Sequence, residues 1–132
     1  MNDKYITIVS DASVMAARQK GRELAMAVGI AGSDLTLLAT AISEVARNIV
    51  QYAGRGQIEF HHVVRGSKRG LMVIARDNGP GIADISQAMQ DGFSTSRGMG
   101  MGLPGARRLM DDFDIVSEVG KGTTISMTKW EY

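Results

Sequence analysis

A chain of 132 residues is expected to form one domain over 1–132, and at that size it buries roughly 65–70% of its unfolded surface, enough for a core without staples. The absence of cysteine excludes disulfides and thiolate metal sites, and a formal charge of +1 offers no field to draw nucleic acid or an anionic membrane. No apolar run approaches the ~20 residues of a membrane span, and Met1-Asn2-Asp3-Lys4 lacks the apolar stretch of a signal peptide, so a cytoplasmic protein is expected.

Tyr5-Ile6-Thr7-Ile8-Val9 reads as a β-branched strand. Ser10, Asp11 and Ser13 are candidate caps for a helix in which Val14, Ala17, Leu24, Ala25 and Val28 recur at helical spacing, with Gly29 as its stop and Gly21 as a point of close packing. Ser33-Asp34 is expected to cap a second helix whose stripe is Leu35, Leu38, Ile42, Val45 and Ile49, ending at Tyr52-Ala53-Gly54. Glu44 and Asn48 sit four residues apart there, about 40° from one another on one face. By itself such a pair reads as a solvated helix edge.

Gln57 to Val64 alternates as a strand, Arg65 to Gly70 is a turn, and Leu71 to Ala75 is an apolar run read as a central strand buried on both faces. His61 and His62 are adjacent in the first strand and point to opposite faces, which argues against a shared metal. A third helix spans Leu103 to Met110, and strands at Ile115–Val119 and Thr123–Trp130 flank the turn Gly120-Lys121-Gly122. The order β-α-α-β-β-loop-α-β-β predicts an α+β, two-layer sandwich: a mixed, mostly antiparallel sheet with three helices on one face.

The densest signal lies between Gly79 and Gly105, which holds seven of the sixteen glycines and both prolines. Glycine weakens any helix or strand it interrupts, so such a run belongs where backbone must turn sharply or approach a ligand. A glycine loop leading into Leu103-Pro104 at a helix start presents free N–H groups and the positive end of a dipole, which is a phosphate site in physical terms. Residues 77–105 are therefore expected to form a nucleotide loop, with a lid over 83–101.

Several phosphate motifs can be weighed. Gly120-Lys121 lacks the upstream glycine of a P-loop and leads into a strand. Gly100-x-Gly102-x-x-Gly105 spells a dinucleotide fingerprint, but Phe93 to Ser96 precede it and no βαβ unit surrounds it. The eukaryotic-type kinase lysine and catalytic segment are both missing.

A fourth reading uses four separated pieces in order: Glu44-x-x-x-Asn48 on a helix, Asp77-x-Gly79-x-Gly81 after a strand, Gly98-x-Gly100-x-Gly102-Leu103 opening a helix, and Gly120-x-Gly122-Thr123 joining two strands. Together they resemble the N, G1, G2 and G3 boxes of the GHKL ATPase superfamily, whose nucleotide domain is the Bergerat fold. Ala41 to Ile49, Tyr52 to Gly56, Asp91 to Ser96 and Gly102 to Gly105 further resemble the bacterial stressosome switch serine/threonine kinases, small relatives of anti-sigma factors. This resemblance covers the whole chain. It implies an ATP- and Mg²⁺-dependent kinase of STAS-domain scaffold and antagonist proteins, which activates a PP2C-type phosphatase once released. An anti-sigma-like module that sequesters a partner is the alternative. An autonomous ATP hydrolase is disfavoured because the chain has no room for a transducer domain.

With that resemblance the residues take roles. Asp77 would accept from the adenine amine, with Gly79 and Gly81 leaving room for the base and Ile82 beside it. Asn48 would offer Mg²⁺ a neutral oxygen, and Glu44 would take the proton of the attacking hydroxyl. The N–H groups of Gly98, Gly100 and Gly102, followed by Leu103, would cradle phosphates. Thr123 resembles the threonine beside the adenine pocket. Ser94, Thr95 and Ser96 would order the lid. Arg97 is either a phosphate neutraliser or a solvated lid residue, and Arg47 either contacts phosphate or pairs with a carboxylate.

Overall fold

Ser10 decides where the first helix begins. In the structure, a computed structural model that describes residues 4–82, 89 and 102–131, strand β1 (Tyr5–Ile8) runs into helix α1 (Asp11–Ala27). The Ser10 hydroxyl accepts from Ser13 N while Ser13 Oγ accepts from Ser10 N at 2.9 Å, a reciprocal capping box. Gly29, at φ 98°, stops the helix as expected. Gly21 is bare for a reason: a Cβ there would run into Ile42 of the next helix and come within 3.3 Å of Phe60 Cε1.

Helix α2 (Ser33–Tyr52) buries Leu38, Ile42, Val45 and Ile49 along the expected stripe, while Leu35 is only partly covered. Its cap differs from expectation. Gly32 occupies the cap position with no side-chain bond, and Ser33 and Asp34 lie within the first turn. Asp34 faces Lys129 instead, at 3.6 Å. At the other end Ala53 N and Gly54 N both donate to Ile49 O at 2.9 Å, and Gly54 takes φ 79°.

Strands β2 (Gly56–Arg65) and β3 (Lys68–Asp77) form a hairpin. Its turn is tighter than expected, because Arg65 pairs with Lys68 and Gly66 supplies φ 62°. Helix α3 (Gly102–Leu109), strand β4 (Asp112–Glu118) and strand β5 (Gly122–Trp130) follow. The five-stranded sheet has the order β1-β2-β3-β5-β4. All four pairings are antiparallel, so the mostly antiparallel sheet expected from sequence is antiparallel throughout. β3 and β4 run the same way, but β5 lies between them.

The helices cover one face. Ile58, Phe60, Leu71, Val73, Ala75, Ile125 and Met127 join residues of α1, α2 and α3 in a single core. On the other face Met72 and Ile74 remain partly exposed, so β3 is not buried on both sides as its apolar run suggested. Lys129 reaches into the helix side, where its Nζ donates to Leu109 O at 2.9 Å and lies 3.7 Å from Asp111. It thereby ties the start of α2 to the end of α3.

Candidate nucleotide site

A row of register partners crosses all five strands at one end of the sheet: Ile8, Gly56, Asp77, Thr123 and Ser117. Asp77 is the last residue of β3, and its Oδ1 accepts from Gly79 N at 2.9 Å. That bond closes an Asx turn, the local structure that short carboxylates favour. The turn rests on the end of α2. A Cβ on Gly79 would lie 2.6 Å from Ala53 Cβ. At Gly56 it would lie 2.7 Å from Ile49 Cγ2 and 3.1 Å from Asp77 Cβ. Ile49 directly follows Asn48, so the helix bearing Glu44 and Asn48 lies against the strand end bearing Asp77.

The chain beyond Asp77 is clamped from the β4–β5 side. Gly120 N donates to Pro80 O at 2.8 Å, and Ile82 N donates to Ser117 Oγ at 2.7 Å. Ser117 Oγ also stands 3.1 Å from Gly122 O and 2.8 Å from Thr123 Oγ1. One assignment satisfies all three contacts: Ser117 accepts from Ile82 and Thr123 and donates to Gly122. Gly81, at φ 79°, abuts Glu118 O, and Gly122, at φ 108°, abuts the Asp77 carbonyl. Protein neighbours thus leave no space for a side chain at 79 or at 81. Beside Asp77 a cavity of about 430 Å³ opens, with Ala53, Arg55 and Arg76 on its walls.

Glu44 and Asn48 lie one helical turn apart on α2, Glu44 only 2% exposed and Asn48 partly covered. Arg47, between them, brings Nη1 to 3.4 Å from Glu44 Oε2. Neither of those two buried atoms has a hydrogen-bond partner. Gly102, at φ 57°, is the first residue of α3, and Leu103 is buried behind it. Helix α3 packs along α2. Gly98, Gly100, Ser94, Thr95, Ser96 and Arg97 lie outside the described residues. His61 and His62 are exposed, and among the described residues no cluster of three His, Asp or Glu side chains is placed to hold a metal.

Sequence reasoning passed over Ser117. Its signal was present: it follows Phe113 and Ile115 at strand alternation, which puts a hydroxyl at an inward position.

The family profile described as histidine kinase-like ATPase domain matches residues 9–129. Over 131 residues the chain is 50% identical to serine/threonine-protein kinase RsbT of Bacillus subtilis (strain 168), covering 98% of both chains. It is 35% identical over 103 residues to anti-sigma F factor of Thermoanaerobacter sp. (strain X514), covering 74% of this chain and 71% of that one. Among solved structures, the mycobacterial sensor histidine kinase MprB shares its fold, with a TM-score of 0.58 at 15% identity over 98% of this chain and 97% of the other. No helix among the described residues is long and apolar enough to cross a membrane. From the strand-end geometry and these likenesses together, the chain belongs to the histidine kinase-like ATPase domain family and, within it, to the serine/threonine-protein kinases.

Proposed function

We propose that the chain is the ATP- and Mg²⁺-dependent switch kinase of a bacterial stressosome pathway, acting in the cytoplasm. It phosphorylates serine or threonine hydroxyls of STAS-domain scaffold and antagonist proteins and, once released from them, activates a PP2C-type phosphatase. Glu44 carries this reading. Its carboxylate is buried, and Oε2 lacks a hydrogen bond. Buried polar atoms are as a rule hydrogen-bonded, so a carboxylate oxygen that has only the Arg47 charge beside it and no hydrogen bond points to use. The acceptor hydroxyl gives its proton to Glu44 as its oxygen bonds to the γ-phosphorus and the bond to the ADP oxygen breaks.

The remaining roles follow from position. Asp77 Oδ1 is committed to Gly79 N, so Oδ2 is left to receive the adenine amine. Thr123 and Ile82 border the same strand end through Ser117. The α3 start at Gly102 and Leu103, with Gly98 and Gly100 before it, serves the phosphates. Asn48 offers the neutral oxygen that Mg²⁺ accepts, and the ion when bound neutralises phosphate charge.

The test uses labelled ATP-Mg²⁺, purified STAS-domain proteins, and mass spectrometry to locate the phosphorylated residue. Glu44→Ala should keep ATP binding and lose transfer by ~10²–10⁴-fold, the usual contribution of a general base. Transfer at the parent rate would remove the base assignment. The likeness to anti-sigma F factor supports a second reading, partner capture. That reading gains if ATP promotes a stoichiometric complex and no phosphate is transferred.

A further inference from the structure

We infer that Arg47 is a positioning residue for phosphotransfer: it balances and orients the Glu44 carboxylate while leaving that carboxylate free to accept a proton. The inference rests on Glu44 being the base. Arg47 Nη1 and Glu44 Oε2 are 3.4 Å apart, close enough for an ion pair, yet neither atom is hydrogen-bonded. The Glu44 side chain is 1% exposed and that of Arg47 31%, so the carboxylate depends on a protein group for compensation. Guanidinium usually meets carboxylate as a two-pronged fork of short bonds. Such a fork would occupy the lone pairs that a base must offer. Here the charge stands beside Oε2 off hydrogen-bonding geometry, so attraction coexists with lone pairs that no hydrogen bond occupies.

The i, i+3 spacing fixes this arrangement. Arg47 and Glu44 are neighbours on one helix, and helix α2 is anchored on both sides of them by Ile42, Val45 and Ile49 in the core. In the reaction the acceptor O–H bond breaks, its proton moves to Oε2, the acceptor oxygen bonds to the γ-phosphorus, and the ADP oxygen leaves. Arg47 stands beside Oε2 and acts through Glu44.

A double-mutant cycle on the full chain tests this. Single-turnover transfer from labelled ATP-Mg²⁺ to a STAS-domain acceptor is compared in the parent, Arg47→Gln, Arg47→Lys, Glu44→Gln and the combined variants, with ATP affinity by calorimetry. Arg47→Gln should slow transfer by up to ~10²-fold, the scale of a small misplacement of reacting groups, with ATP affinity unchanged. Adding it to Glu44→Gln should cost nothing more. Arg47→Lys returns a positive charge and should recover part of the rate beside Glu44, and none beside Gln. If the two losses multiply, or if Arg47→Gln weakens ATP binding without slowing transfer, Arg47 does not act through Glu44. Should Arg47→Gln fail to fold, the Arg47→Lys pair carries the cycle. Parent-rate transfer by Glu44→Gln alone would instead strike the base assignment, and this inference with it.

Discussion

Ser117 Oγ holds the amide of Ile82 at 2.7 Å, across 35 positions of sequence. The bond joins the turn after Asp77 to β4, an edge strand of the sheet. Because Ser117 also bonds Gly122 and Thr123, one hydroxyl fixes both boundaries of the strand-end site.

Ser117→Ala should therefore loosen the turn as well as the edge. It leaves the Ile82 N–H without its partner, and orphaning such a group costs about 1–3 kcal/mol. The urea midpoint should fall by a corresponding amount, and ATP affinity should fall with it. Ser117→Thr keeps a hydroxyl and should lie nearer the parent. An unchanged affinity in Ser117→Ala would show that the turn is held without this bond.

Much of this arrangement could be read from local chemistry. Gly29 and Gly54 announced helix ends because a backbone at φ 98° or 79° favours glycine. Glu44, Asn48, Asp77 and Thr123 were singled out by the resemblance to the four boxes, since spacing alone reads Glu44 and Asn48 as a solvated helix edge; the structure makes Asp77 and Thr123 register partners beside the end of the helix that carries the other two. What escaped depends on contacts distant in sequence. The helix starts one position early, so Gly32 takes the cap, and Asp34 in the first turn meets Lys129 from the last strand, a partner no local pattern names. Met72 and Ile74 read as buried because an apolar run cannot say how many faces of a sheet are covered. The partner of Arg47 was open because both a phosphate and a carboxylate suit a guanidinium, and only the folded helix chooses Glu44.

Acid should find a specific weak point in the open face of the sheet. Burial pushes the Glu59 carboxyl up, but hydrogen bonds from Arg76 and His61, the charge of Arg76 and a bond from Gln57 together outweigh it and hold it below its ordinary 4.5. Arg76 Nε is 2.8 Å away. A carboxyl with a depressed value in the folded state binds protons better when unfolded. Its contribution is complete above the unfolded value and is lost as pH falls through the folded one. Thermal midpoints measured from about pH 6 to pH 3 should drop on the acid side. Glu59→Gln should be less stable than the parent near neutrality and converge with it in acid. Parallel curves would mean that Glu59 contributes nothing to the acid arm.

Asp77 offers a way to separate the turn from the ligand. Its Oδ1 accepts from Gly79 N at 2.9 Å, and an asparagine side chain keeps one acceptor oxygen for that bond. Asp77→Asn should therefore fold with a midpoint close to the parent, whereas Asp77→Ala loses the turn bond and should melt earlier. The position left for adenine changes more severely. An amide NH₂ there would face the amine donor of the base, where the carboxylate offered an oxygen. A hydrogen bond to a charged group contributes about 1.5–3 kcal/mol, so ATP affinity should fall by roughly 10–100-fold. The loss should be selective, because guanine has no amine at that ring position. ATP-over-GTP discrimination should shrink as ATP binding weakens, and phosphotransfer should fall with it at limiting ATP. Calorimetry with both nucleotides on the two variants decides the matter. Equal weakening of ATP and GTP by Asp77→Asn would assign the effect to the turn, and undiminished ATP binding would remove Asp77 from the adenine contact.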